Sequence, residues 1–493
     1  MAETLDAAGL PEELNALDLL LHRGEANPRT RSGIMALEVL DSTPSWKRFV
    51  DVFEHASRQV LRLRQKVVVP TVPTAAPRWV VDPDFNLNYH VRRVRVPEPG
   101  TLREVFDLAE VSLQSPLDIS RPLWTATLVE GLEGGRAATL LHMSHAVTDG
   151  VGAVEMFAHI YDLERDPAPR KPAPLPIPQD LTANELARVG LNQLPNNIVR
   201  GARGALTGAA KVVGKVLSDP ASAVGGVVEY ARSGSRVMST AAVHSPLLRR
   251  RSLSSRSEAI EMKLSDIRAA AKAAGGSIND AYLAALCGAL RRYHDELGMP
   301  IEALPMAIPV NLRADADPAG GNRFAGVMIS APLGIADPAA RIHSVRTQMI
   351  KRREEPAIDM IGAVAPLLGL LPDPILESVA GSVVSADVQA SNIPVYAGDT
   401  FIAGSKVLRQ YGLGPLPGVA MMAVLISRGG MCTITTRYDR ASVSDENLWA
   451  RCLVTGFNDV LALGGPGRAS PASFREPEAT NMQAASNNGS SPS

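Results

Sequence analysis

Apolar positions in the first third of the chain switch repeatedly between a two-residue and a helical period. Ile34–Leu40, Tyr89–Val96 and Trp124–Val129 read as strands, and Trp46–Arg64 and Leu102–Ser115 as helices. Arg136–Ser144 is a short apolar run between Gly134-Gly135 and a Thr-Asp-Gly turn, which predicts another strand. After the turn, Val151, Val154, Met156, Phe157 and Ile160 fall close to helical spacing. The segment DPAPRKPAPLPIP that follows can be neither helix nor central sheet, and so predicts a domain boundary.

Alternation returns at Ala259 with a strand (AIEMKL), a helix from Ser265 and, after Ser277-Ile278-Asn279-Asp280, a long helix (AYLAALCGALRRYHDEL). Strands are expected at MAIPV and FAGVMISAPL, a helix over 336–353, apolar helices over 358–385, strands at FIAGSKVL, MMAVLIS and CTITTRY, and a last helix over Ser444–Leu463. The two halves share this mixture, which predicts an α/β protein built from a pseudo-duplicated pair of domains. The expected boundaries are an N-terminal domain over 1–165, a connector over 166–256, a C-terminal domain over 257–465 and a disordered Gly/Ser/Asn-rich tail over 466–493.

Within the connector, Ile198, Ala202, Leu206, Ala209, Val213 and Val216 share one side of a helical wheel, with Arg200, Arg203, Lys211 and Lys215 opposite. Asp219 and Glu229 are the acids between Pro195 and Arg251. Such a stretch suits an anionic lipid surface, or a solvated basic face between domains; both readings stand.

Composition narrows the function classes. At 493 residues the chain exceeds one ordinary core, and its net charge of −1 gives no general reason to bind nucleic acid. Cys287, Cys432 and Cys452 are isolated, without disulfide or zinc spacing, and read as buried thiols of a reducing compartment. No histidine spacing supports a metal. The N-terminus lacks the basic and apolar regions of a signal peptide, and no window approaches the ~20 apolar residues of a membrane span. A cytoplasmic protein, free or peripherally attached to the inner face of the membrane or to lipid inclusions, is expected.

The chemistry concentrates in Leu-His-Met-Ser-His-Ala-Val-Thr-Asp-Gly over 141–150. His145 stands at a predicted strand end, four residues before Asp149-Gly150. Imidazole ordinarily titrates near ~6.5, so it accepts a proton at cellular pH. Asp149 either orients that ring or anchors the loop, and turn aspartates favour the second role.

These residues and others in order resemble the bacterial wax ester synthase/acyl-CoA:diacylglycerol acyltransferases, whose signature is HHxxxDG. That signature stands here as Ser144-His145-Ala146-Val147-Thr148-Asp149-Gly150. WVVDPDFNLNYHVRRVRVPEPG (79–100), SPLDISRPLWTATLVEGLEGGR (115–136, with Pro122-Leu123-Trp124), SINDAYLAALCGALRRY (277–293), PVNLR (309–313), GNRFAGVMISAPLG (321–334), Ser391-Asn392-Ile393-Pro394 and Tyr438-Asp439 extend the match to about residue 465.

The resemblance implies two chloramphenicol-acetyltransferase-like domains forming a tunnel at their interface. It implies acyl transfer from acyl-CoA, a co-substrate with no other cofactor, to diacylglycerol or a long-chain alcohol, with His145 as general base. No nucleophile is required, and no G-x-S-x-G elbow is present.

Asn279 is a possible polar donor at the reacting carbonyl, or the N-cap of the helix that follows. Asp280 accompanies it in the same motif. Pro122-Leu123-Trp124 reads as packing, Arg313 as a partner of Asp149 or of a surface residue, and the Gly320-Gly321-Asn322 turn as structural. Two departures stand out. Ser144 replaces the first histidine and cannot act as a base. His244-Ser245-Pro246-Leu247-Leu248 replaces the usual link into the second domain. Ser144 also suits a catalytically silent paralogue that binds acyl chains or lipid droplets, and related condensation domains allow another acceptor.

Overall fold

The computed structural model describes residues 12–72, 74–148, 154, 156, 158–170, 173–192, 242–311, 324–353, 386–396 and 398–474. The first half runs α1 (Ala16–Gly24), β1 (Gly33–Leu40), α2 (Trp46–Gln59), β2 (Gln65–Val68), β3 (Arg78–Val81), α3 (Leu87–His90), β4 (Val91–Arg95), α4 (Leu102–Gln114), β5 (Trp124–Glu130) and β6 (Ala137–Ser144). The second runs β7 (Ser255–Lys263), α5 (Leu264–Ala273), α6 (Ile278–Glu296), β8 (Ala303–Asn311), β9 (Phe324–Pro332), α7 (Pro338–Arg353) and β10 (Val388–Pro394). It continues through β11 (Phe401–Ile402), β12 (Ser405–Leu413), β13 (Met421–Arg428), β14 (Met431–Asp439), α8 (Glu446–Ala462) and β15 (Ala472–Ser473).

Two mixed sheets result, in the orders β11-β12-β1-β6-β5-β4 and β15-β7-β14-β13-β10-β8-β9. β12 comes from the second half yet pairs antiparallel with β1, so the late chain crosses over to complete the first sheet. The expected single strand FIAGSKVL is instead a hairpin. Ala403 and Gly404 both have positive φ (50° and 87°), and two left-handed residues in succession reverse a chain within two positions.

Other expectations shift for local reasons. Val154 and Met156 are helical where a helix is expected, and Ala158–Ile160 follow as a 3₁₀ turn. β10 lies parallel between β8 and β13, and its Ser-Asn-Pro composition hid it from strand propensity. Within the stretch expected as a disordered tail, residues 466–474 pack on the fold: Ala472–Ser473 pair antiparallel with β7, and the Phe474 ring stacks on Phe106 at 4.9 Å. One aromatic in a polar stretch supplies the anchor. The basic segment over 193–241 and the apolar run over 358–385 lie outside the described residues. Among the described residues, no helix is long and apolar enough to cross a membrane.

Packing explains the helices. Ser45, Ser277 and Asp445 cap α2, α6 and α8 with side-chain oxygens on free N–H groups. α6 is buried along most of its length against the second sheet and α8, with Trp449 and Phe457 in one core. The halves are latched by a buried ion pair: Arg437 on β14 donates to both Glu110 oxygens on α4 at 3.1 and 3.2 Å, and Ser255 and Ser257 donate to the same carboxylate.

Four buried histidines, His22, His90, His142 and His294, are held below their ordinary range by burial and make stability pH-dependent. Burial holds His22 and His90 down to about 4 and His142 to about 3. An unfolded histidine takes its proton near ~6.5, so between pH 6.5 and 4 the unfolded chain binds more protons than the folded one. The stability from each neutral imidazole is therefore complete above ~6.5 and is lost as pH falls toward 4. His142→Asn should remove about one proton from this dependence, read as a flatter plot of urea-unfolding free energy against pH. An unchanged slope would contradict a buried neutral His142.

Candidate active site

β6 is the central strand that delivers the site. It pairs antiparallel with β1 and β5, which sets Met143 opposite both Ile34 and Trp124. Strand alternation sends Leu141 and Met143 to one face, and His142 and Ser144 to the other. His142 is therefore directed away from His145, toward Ser112 of α4, whose Oγ is 3.4 Å from Nδ1. Gly33 is required there, because a Cβ would stand 2.8 Å from His142 Nε2.

Past Ser144 the strand turns, and both neighbours hold the turn. Ser144 N–H donates to the Leu123 carbonyl at 3.0 Å and His145 N–H to the Ser32 carbonyl at 3.1 Å. Pro122-Leu123-Trp124 thus braces the histidine turn. Trp124 anchors that brace: its indole N–H donates to the Leu63 carbonyl at 2.7 Å, and its ring stacks on His90 at 4.7 Å.

Ser144 is fully buried and lies against Glu25, the residue that ends α1. Its hydroxyl donates to Glu25 Oε1 at 2.7 Å and accepts from the Ala146 N–H at 3.1 Å. Burial pushes the Glu25 carboxyl above its usual range, against the downward pull of the Ser144 and Ser32 hydrogen bonds and the Arg31 charge. A histidine-to-serine change at 144 therefore swaps one polar group inside a buried brace. Ser144→Ala should cost about 1–3 kcal/mol, because a buried carboxyl loses a donor. A lowered urea midpoint checks this, and a midpoint equal to wild type would contradict the brace.

His145 itself lines two cavities. The first, of about 230 Å³, is apolar along Ile34, Ala36, Leu141, Met143, Val424 and Ile426. The second, of about 870 Å³, carries Arg23, Arg29, Arg31, Arg249, Arg251 and Arg437 against Asp387 and Asp439. They share His145, Pro309, Gln389 and Pro415. The PVNLR and Ser-Asn-Ile-Pro stretches thus face the histidine turn from the second sheet, through Pro309 and Ser391. Asp387 receives His244 Nδ1 at 2.9 Å and the Ser245 N–H at 2.6 Å, which fixes the unusual link 244–248 on the cleft wall.

The remaining motif residues divide. Ser277, not Asn279, is the N-cap of α6, and Asp280 closes the capping box and receives Arg346 at 3.1 Å. The described walls of the two cavities do not include Asn279. Asp149, Gly150, Arg313 and the 320–322 turn lie outside the described residues. Cys287, Cys432 and Cys452 are buried, and burial pushes their thiols up to about 12, 11 and 11, which makes them poor nucleophiles. Sequence reasoning missed Glu25, Glu38 and Arg428. A charged residue inside an apolar strand, as in GIMALEVL and MMAVLISR, was the available signal for the last two.

Residues 4–282 match the family described as wax ester synthase/diacylglycerol acyltransferase catalytic domain, and 320–460 match its C-terminal domain. A Mycobacterium tuberculosis protein named for diacylglycerol O-acyltransferase activity is 66% identical over 476 residues, 96% of this chain and 97% of its own. Another from that organism, also so named, is 29% identical over 71% of this chain and 76% of its own. The solved wax ester synthase/diacylglycerol acyltransferase of Marinobacter aquaeolei superposes with a TM-score of 0.61 at 20% identity, covering 92% of this chain and all of that one. The first condensation domain of the CDA synthetase superposes at 0.54 with 14% identity, over 94% and 97% of the two chains. Both share the fold.

Proposed function

The chain belongs to the wax ester synthase/diacylglycerol acyltransferase family, and from that membership we propose that it transfers a fatty acyl group from acyl-CoA to the free hydroxyl of diacylglycerol. Long-chain alcohols are the second acceptor class, giving wax esters. The observation that carries this reading is the meeting of an apolar and an arginine-rich cavity at His145. Acyl-CoA has the same division, an apolar chain and a polyanionic nucleotide joined at a thioester. Arginines recognise phosphate by charge-assisted hydrogen bonds, and the apolar cavity removes the chain from water.

In this arrangement the thioester lies beside His145. The imidazole takes the proton of the acceptor hydroxyl as its oxygen attacks the thioester carbonyl. A C–O bond forms, the tetrahedral oxyanion collapses, the C–S bond breaks, and the imidazolium returns the proton to the CoA sulfur. Gln389, shared by both cavities, is the amide nearest in role to an oxyanion donor. Ser144 lies behind the turn against Glu25, so its identity does not argue for a silent protein.

Purified protein given labelled palmitoyl-CoA with diacylglycerol should yield labelled triacylglycerol, and with hexadecanol a labelled wax ester. Absence of ester with both acceptors would overturn the proposal. The basic stretch over 195–251 supports peripheral attachment to a cytoplasmic membrane face or lipid inclusion. Attachment of that kind weakens at high salt.

A further inference from the structure

The apolar cavity is not apolar to its end. Its floor is β12, β1 and β6, whose register stacks Ile34 with Met143, Ala36 with Leu141 and Gly412, and Glu38 with Thr139 and Gln410. The opposing wall is β13, which presents Met422, Val424, Ile426 and Arg428 at alternate positions. A Cβ on Gly414 would meet Met422, and one on Gly412 would meet Val424 and Ile426, while Arg428 reaches Gln410 at 3.2 Å. Four strands from two sheets therefore change from apolar to polar at one level. Five residues of strand separate that level from Ser144, the last strand residue before His145, or ~17 Å at ~3.4 Å per residue.

The polar level is organised around Glu38 and Arg428. Glu38 receives the hydroxyls of Tyr161 and, at 2.9 Å, Thr139. Arg428 donates to Gln410 and Thr400 and stands 5.6 Å from the Tyr161 ring. A guanidinium has five N–H groups, and these two bonds occupy only part of that capacity. Arg428, Gln410 and Tyr161 all line the cavity. A plain alkyl end pressed against them would exclude water and return no hydrogen bond, which is unfavourable for a cation.

We infer that this polar end is a recognition site for an oxygen carried on the distal part of the acyl chain, received by Arg428 and Gln410. The enzyme then favours acyl-CoA substrates whose far end bears a hydroxyl over unsubstituted chains that reach the same depth. A site built to hydrogen-bond an oxygen rejects the analogue lacking it far more strongly than an apolar pocket discriminates by size. The inference rests on the acyl-transfer reading above.

The full chain is assayed with diacylglycerol and either palmitoyl-CoA or ω-hydroxypalmitoyl-CoA. The expected result is a kcat/KM about tenfold or more higher for the hydroxylated substrate, the size of one hydrogen bond to a charged group. Arg428→Met and, separately, Gln410→Leu should bring the ratio toward parity. Equal use of both substrates by wild type, or preference for palmitoyl-CoA, overturns the inference and leaves acyl transfer intact. A hydroxyl preference that survives in both variants overturns the assignment to this cluster. Failure of both substrates overturns acyl transfer and the inference with it. Should a variant not fold, the wild-type ratio still decides.

Discussion

Replacing His145 by alanine should lower kcat by about 10²–10⁴-fold, the usual contribution of a positioned general base. Acyl-CoA affinity should change little, because the proposed binding groups are the arginines of one cavity and the apolar strands of the other. The loss then falls on kcat, as expected for an interaction made in the transition state alone. The backbone argues that the turn survives the substitution: the His145 N–H bond to Ser32 and the Ser144 N–H bond to Leu123 need no imidazole. Direct measurement of ester formation at saturating palmitoyl-CoA checks this. Equal product from wild type and variant would remove His145 from the mechanism.

Glu110→Ala should cost about 3–5 kcal/mol of stability, since it leaves the buried Arg437 guanidinium without its carboxylate. Ser255 and Ser257 would lose the same acceptor. Replacing both ionic partners, as in Glu110→Leu with Arg437→Leu, should cost less than the single change, because no charge is then stranded. Urea unfolding of the three variants gives the comparison. A single variant as stable as wild type would show that this pair does not hold the halves together.

The elements with strong periodicity were legible in the sequence. Strand β6, its Gly-bounded start and the histidine at its end follow from local pattern, and so do α4, β5, β13, β14 and α8. Long-range pairing was not legible. Nothing in SKVLRQYGL announces that it pairs with β1 rather than with its own half, because register depends on the partner surface and not on local propensity. The same limit applies to the site. The motif singles out His145, and Leu123 and Trp124 beside it are buried. Asn279 is open in the sequence to a polar-donor or an N-cap reading, yet Ser277 with Asp280 three positions on is the stronger capping pattern, and Ser277 is the cap. Glu25 lay far from Ser144 in sequence, and only the fold brings them to 2.7 Å.

The central claim is that a thioester sits at His145 with its chain in one cavity and its nucleotide in the other. A crystal structure with a non-hydrolysable thioether analogue of palmitoyl-CoA tests it most directly. The account predicts the sulfur within about 3.5 Å of the His145 imidazole, the alkyl chain along Ile34, Ala36 and Leu141, and the phosphates among Arg29, Arg31 and Arg249. An analogue bound with its sulfur remote from His145, or with its chain outside the β1–β6–β12 cavity, would contradict it.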